Sequence, residues 1–335
     1  MKRFVKWLIR IFAVMLTIIV LLYVFFLVSP WPSVLIIRHY FDNNGKDMNQ
    51  ALLKYVPDGV QGKLNLHYDE TDKNAYLDLY FPTDTLNVSK NKPLIVWIHG
   101  GGWVSGNKAF VANYCRILAS RGYAVAAVGY SLAPEYKYPK PIFQLNKALA
   151  YLNDNAKQYM IDTSRLVLAG DSAGAQIAAQ MAALVTNSEY AQKVKIQPVL
   201  QPHQLKGVIL YCGAFAADEI SYKGETGKFF TTVLWSYSGT KQFNNDPYFK
   251  TLSVIDYVTS HFPPSFISAG NGDFLLSQSE KFTSKLQSLH VETQTLFFPK
   301  ELKPPLQHEY QFHLDNVSGQ KALEESMVFL KHINK

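Results

Sequence analysis

The residues best suited to chemistry lie in "GDSAG", Gly170-Asp171-Ser172-Ala173-Gly174, which fits G-x-S-x-G. A pattern of common small residues carries little weight alone, so its setting matters. The apolar run "RLVLA" leads directly into it, and the helix-like run "SAGAQIAAQMAALV" leads out. A serine on a tight turn between strand and helix is pushed toward the open end of a sheet, provided its neighbours have no side chains to collide with nearby backbone. Gly170 and Gly174 meet that condition. The turn also sits at a helix N-terminus, where the dipole and free N–H groups favour developing negative charge. The expected chemistry is nucleophilic attack by Ser172. An ordinary N-cap serine would need no flanking glycines.

Upstream, "WIHGGGWVSG" places His99-Gly100-Gly101-Gly102-Trp103 at the end of another apolar run. Consecutive glycines let backbone N–H groups converge on one point, which stabilises an oxyanion. A phosphate-binding loop would instead want Lys-Ser/Thr or a G-x-G-x-x-G frame, and neither is present.

Together these motifs resemble the hormone-sensitive-lipase-like branch of the α/β-hydrolases, which pairs HGGGW with GDSAG. A third stretch, "YSLAPEYKYP" (Tyr130 to Pro139), resembles that branch's Y-R-L-A-P-E-x-x-x-P signature, with Ser131 in the usual place of arginine. The resemblance covers roughly Pro93 to Phe312. It implies that the N–H groups of Gly101, Gly102 and Ala173 form an oxyanion hole and that His99 holds the loop. It also implies a serine hydrolase that cleaves carboxylic esters, small or lipid-like, through an acyl-enzyme. Amide or peptide hydrolysis and acyl transfer remain open to the same residues, as does a non-catalytic binding protein of this fold.

A serine hydroxyl needs a histidine to take its proton and an acid to orient that histidine, and in this fold they follow in the order Ser, Asp/Glu, His. "PSFISAGNGDFLL" places Asp273 in a glycine-rich turn after an apolar run, resembling the family's G-x-x-D-x-L, with Phe274 in the usual place of proline. Glu280, inside the next helix, is the second candidate acid. For the base, "LQHEYQFHLD" offers His308 and His313. His308 is favoured, since it follows the last apolar run and loosely resembles the family's His-Gly-Phe. His290 and His332 lie near helix ends, where a solvated histidine is the default. Asp171, beside the serine, cannot reach behind the histidine.

These residues require strands to end beside one another. From residue 60 onward, "KLNLHY", "AYLDLYF", "PLIVWIHG", "YAVAAVGY", "RLVLAGDS", "LKGVILYC", "PSFISAG" and "TQTLFFP" alternate with helical segments. The later runs are nearly continuous in apolar residues, as parallel strands covered on both faces are. The predicted fold is α/β: an α/β-hydrolase with a doubly wound, mostly parallel sheet of about eight strands, occupying residues 39–335. Residues 213–264 are too long for one crossover and rich in aromatics. They read as part of a helical cap, with the segment Met48 to Val56 as a second piece; a peripheral helical hairpin is the alternative.

Residues 1–38 read as a cytoplasmic stub and transmembrane anchor. Ile11 to Val28 is an uncharged run, with Trp7 and Trp31 near its ends. Lys2, Arg3, Lys6 and Arg10 precede it and only Arg38 follows soon after, which by the positive-inside rule places the catalytic domain outside the cytoplasm. A cleaved signal leading to secretion is the alternative, though no small-x-small site follows the run; a buried soluble helix is a third. These five basic residues account for most of the net charge of +7, leaving 28 basic against 26 acidic residues in the body, with no basic block for nucleic acid. Cys115 and Cys212 read as buried free thiols, and Asn87-Val88-Ser89 and Asn316-Val317-Ser318 are glycosylation sequons. The histidines show no metal-ligand spacing, so neither metal nor organic cofactor is expected. Nothing in the chain specifies an oligomeric state.

Overall fold

The computed structural model describes residues 2–83, 92–217, 220 and 222–334. The sequon at Asn87 lies outside them. That at Asn316 caps the last helix, its side chain accepting from the Gly319 N–H at 2.7 Å.

Each of the eight apolar runs supplies a strand: β1 (Val60–His67), β2 (Tyr76–Pro82), β3 (Lys92–Ile98), β4 (Ala124–Val128), β5 (Ile161–Asp171), β6 (Leu205–Tyr211), β7 (Ser265–Ser268) and β8 (Thr293–Leu296). They form one sheet in the order β1-β2-β4-β3-β5-β6-β7-β8. The strand β2 pairs antiparallel with β1 and β4, and every later pairing is parallel.

Ten helices accompany the sheet among the described residues: α1 (Lys2–Val28), α2 (Trp31–Leu52), α3 (Ala112–Ser120), α4 (Lys140–Asp154), α5 (Ala156–Tyr159), α6 (Ala173–Thr186), α7 (Ser188–Val194), α8 (Gly224–Ser238), α9 (Leu276–Ser288) and α10 (Val317–Ile333). Because successive strand residues point to opposite faces, the central strands feed two cores. Leu94, Val96 and Ile98 of β3 join one core with α4, α6 and α9. Ile95 and Trp97 join the other with α3 and α10. A sheet covered on both faces places its ligand crevice at the carboxyl ends of the strands.

Helix α1 has no buried residue, so it is not a core helix of the domain. Its 27 residues span about 40 Å at 1.5 Å per residue, more than the roughly 30 Å of a bilayer's hydrocarbon. By length and composition it can cross a membrane.

The next helix, α2, starts well before the segment expected from Met48 and runs across residue 38. It docks on the loop after β3. The Arg38 guanidinium donates to the carbonyls of Val104 (2.6 Å) and Ala133 (2.7 Å) and forms a bidentate ion pair with Glu135. One turn on, Asp42 accepts from Ser105 Oγ at 2.6 Å and from the Gly106 N–H at 3.3 Å. At Gly45 the helix touches the Phe110 ring so closely that a Cβ would lie 2.6 Å from it.

The aromatic segment after β6 does not build a core of its own. Tyr237 of α8 stacks on Trp103 at 5.4 Å, and the α8 residues Phe230, Val233 and Leu234 belong to the main core. Phe229 meets Phe41 of α2 at 5.7 Å, so α2 and α8 touch where both border the carboxyl ends of the strands.

Arg38 serves three acceptors with a side chain only 20% exposed, whereas the Arg121–Glu324 pair is 45% and 58% exposed. Arg38→Ala is expected to cost about 1–3 kcal/mol, and Arg121→Ala less than about 1 kcal/mol. Thermal unfolding of the detergent-solubilised chain checks this; equal shifts would mean α2 is not pinned through Arg38.

Candidate active site

The turn between β5 and α6 holds Ser172 at φ 52°, ψ −119°, a strained conformation for a residue with a side chain. Its side chain caps nothing in α6, which removes the ordinary N-cap reading. The glycines around it make the turn possible. A Cβ on Gly174 would strike the carbonyl oxygens of Ile98 and His99, and one on Gly170 would lie 2.6 Å from the Gly174 backbone.

Two other strand ends supply the partners. After β7, the Asp273 N–H donates to the Gly270 carbonyl at 3.1 Å, and its carboxylate accepts from the Leu275 N–H at 2.7 Å. After β8, the loop carrying His308 is zipped to that same turn: the Gly272 N–H donates to Leu306 O (2.9 Å), and the Leu306 N–H to Asn271 Oδ1 (2.8 Å). Gly270 leaves room for the Leu306 carbonyl, which a Cβ would strike.

The result is one line of hydrogen bonds. His308 Nδ1–H donates to both oxygens of Asp273, at 2.9 and 3.0 Å, because a carboxylate only accepts. This leaves Nε2 with its lone pair toward Ser172, whose Oγ–H donates to it at 2.9 Å. Phe274 packs its ring 4.4 Å from the imidazole. Of the alternatives, His313 is exposed five residues on and Glu280 is exposed on α9; neither enters this line.

Burial lowers the pKa of His308, but Cys212 beside it and the Asp273 carboxylate bonded to Nδ1 together raise it well above the ordinary 6.5. Cys212 lies within 4.8 Å of the same ligand atoms. Burial pushes its thiol up to about 12. Cys212, Asp273 and His308 do not read as a metal site, since both histidine nitrogens are already engaged. Cys115 is likewise buried and free.

The loop after β3 faces the serine. Gly101 and Gly102 adopt φ of 113° and 60°, and a Cβ on Gly101 would strike the Ser105 carbonyl. Among the described residues, nothing accepts from the N–H groups of Gly101 and Gly102, and Ala173, first in α6, has no intrahelical acceptor for its own. All three residues line one cavity of about 760 Å³ with Ser172 and His308. Asp171 braces the arrangement, accepting from Trp97 Nε1 (2.8 Å) and from the Gly100 N–H (2.6 Å). Burial, with Glu309 nearby, pushes its carboxyl well above the usual range. His99 is buried, stacks on Tyr130 at 4.3 Å and has its pKa lowered by burial to about 4. It is a neutral loop support.

Ser131 joins a hydrogen-bond network where the arginine's charge would stand: its N–H donates to Gln144 Oε1 (2.7 Å), and Gln144 Nε2 donates to Ser131 Oγ and Asp72, both at 2.8 Å. Sequence reading missed how far α2 contributes. Tyr40, Phe41, Asn44, Met48 and Leu52 line the cavity, and the spacing Val34, Arg38, Phe41, Gly45, Met48, Leu52 was the available signal.

The family model BD-FAE matches residues 77–286. An esterase of Gibberella moniliformis is 29% identical over 220 residues, covering 62% of this chain and 65% of that one. An Acanthamoeba polyphaga mimivirus protein described as an α/β-hydrolase is 28% identical over 211 residues, covering 61% of this chain and 58% of its own length. The chain thus spans less than two thirds of the curated relatives it matches. The solved structure of esterase B from Lactobacillus rhamnosis has 25% identity and a TM-score of 0.76, covering 90% of this chain and 97% of that one.

His308 is expected to titrate above 6.5, and Asp273→Asn, which removes one of the two neighbours that raise it, to bring the titration down. NMR of the imidazole reads this; an unchanged pKa in Asp273→Asn would contradict the pairing.

Proposed function

The chain belongs to the BD-FAE family, hormone-sensitive-lipase-like α/β-hydrolases, and from that membership we propose that it is a serine hydrolase cleaving carboxylic esters through an acyl-enzyme. The observation that carries this reading is the line from Asp273 through His308 to Ser172, with every link at 2.9–3.0 Å. Esterases among the similar proteins support it.

In the proposed mechanism, Ser172 Oγ attacks the ester carbonyl carbon while its proton passes to His308 Nε2. The carbonyl electron pair moves to the oxygen, where the N–H groups of Gly101, Gly102 and Ala173 stabilise it, each worth on the order of 10²- to 10³-fold in rate. When the tetrahedral intermediate collapses, the bond to the alcohol oxygen breaks and His308 returns the proton to it. Asp273 stays ionised, fixing the tautomer and stabilising the imidazolium. Only neutral His308 accepts a proton, so activity rises as pH rises through the elevated His308 pKa.

The apolar lining from Phe41, Met48, Phe229, Phe230 and Phe274 favours an ester with an apolar portion. Helix α1 is read as an uncleaved single-pass anchor with the catalytic domain on the extracytoplasmic side. Lys2, Arg3, Lys6 and Arg10 precede its apolar run, and the first basic residue after it, Arg38, is engaged by Glu135. Intact mass of the membrane-extracted protein should equal that of the full chain; a species beginning after Val28 would favour a cleaved signal.

Ser172→Ala is expected to lower kcat about 10⁶-fold on p-nitrophenyl esters without changing the melting temperature by more than a few degrees. Wild-type activity in that variant would overturn the proposal.

A further inference from the structure

Glu309 follows the base directly and plays no part in the mechanism above. It departs from what local geometry favours: its φ is 61°, where glycine is cheap and a side chain is strained. Its carboxylate lines the cavity, with a side chain 27% exposed and Oε1 3.9 Å from His308 Nε2. Among the described residues, no group donates a hydrogen bond to it. An acid held in a strained conformation beside the reacting nitrogen, with no protein donor of its own, is free to accept from a molecule that the reaction cycle brings there.

We infer that Glu309, with His308 Nε2, binds and orients the water that hydrolyses the acyl-enzyme. The assignment rests on the serine hydrolase reading and concerns its second half-reaction. A separation of 3.9 Å lets one water oxygen sit within about 2.8 Å of both atoms. The leaving alcohol and the incoming water use the same position beside Nε2, but they differ in protons. The oxygen of a bound ester has no proton to give a carboxylate. Water has two, one for Nε2 and one for Glu309, so the carboxylate favours the occupant that carries out hydrolysis.

The step balances with these groups alone. The water oxygen attacks the acyl carbon as one water proton moves to His308 Nε2. The bond from that carbon to Ser172 Oγ then breaks, its electron pair goes to Oγ, and Oγ takes the proton back from Nε2. Glu309 keeps its charge throughout, accepting from the second O–H, which leaves as the hydroxyl of the product acid.

The test uses the full chain in detergent, with the p-nitrophenyl and phenyl esters of one acid as probes. Glu309→Gln is expected to slow deacylation about ten- to hundredfold, as misplacing a reacting group does, and to leave acylation nearly unchanged. Stopped-flow traces should then show a burst of p-nitrophenolate matching the enzyme concentration, followed by slow turnover. Both esters form the same acyl-enzyme, so their steady-state rates should converge, and added methanol should divert more product to the methyl ester than it does in wild type. Glu309→Gly, suited to φ 61°, should behave alike, which separates loss of the carboxylate from loss of the fold. A lower rate without a burst, or one that tracks the alcohol, would overturn the assignment, the latter making Glu309 a contact for the substrate alcohol. Absence of turnover in wild type, or turnover retained in Ser172→Ala, would remove the hydrolase reading and this assignment with it.

Discussion

The approach of Gly174 to the carbonyl oxygens of Ile98 and His99 sets the spacing on which the site depends. It brings the start of α6 against the end of β3, so the serine turn and the glycine loop come from adjacent strands in backbone contact. Any side chain at position 174 would push α6 outward and carry the Ala173 N–H away from Gly101 and Gly102. Asp171 closes the same junction from the other side, one oxygen on Trp97 in the core and the other on the Gly100 amide. An acid next to Ser172 therefore acts as a brace, and the acid that faces His308 comes from a distant turn.

Around that junction two buried glutamines pair with their neighbours. Gln176 and Gln180, on α6, are fully buried. Gln176 accepts from Trp103 Nε1 (3.1 Å) and donates to the Leu252 carbonyl (3.1 Å); Gln180 donates to Tyr138 Oη (2.7 Å) and to the Thr251 carbonyl (3.2 Å). Satisfied networks of this kind hold one arrangement, since losing one partner leaves another polar group unpaired in the core. They tie the glycine loop, the YSLAPEYKYP stretch and the segment after α8 to the helix that carries Ser172. On the other flank, Arg38 and Asp42 tie α2 to the same loop, so the element next to the candidate membrane helix is also a wall of the cavity.

Much of this was legible because it is local. A strand that must be covered on both faces is a continuous apolar run, and a turn that tolerates no Cβ is marked by glycine, so the eight strands, Ser172 and the glycine loop could be read in place. Asp273 was legible through its glycine-rich turn. His308 is favoured over His313 through its resemblance to His-Gly-Phe, but its placement was less legible, because contacts distant in sequence fix the loop before it: Leu306 fits against Gly270 and Gly272, and no periodicity encodes that pairing. The full extent of α2 was hidden by Asn43-Asn44-Gly45, poor helix formers whose helical state depends on Phe110 packing over Gly45. At Ser131, the departure from the family's arginine marked a different network rather than a lost one.

The proposed chemistry requires that Ser172 alone becomes acylated because His308, held by Asp273, takes its proton. Peptide mass spectrometry of the chain after reaction with a fluorophosphonate measures this most directly. One adduct is expected, on Ser172, lost in His308→Ala. An adduct on another residue, or none in a preparation that still cleaves esters, would contradict it.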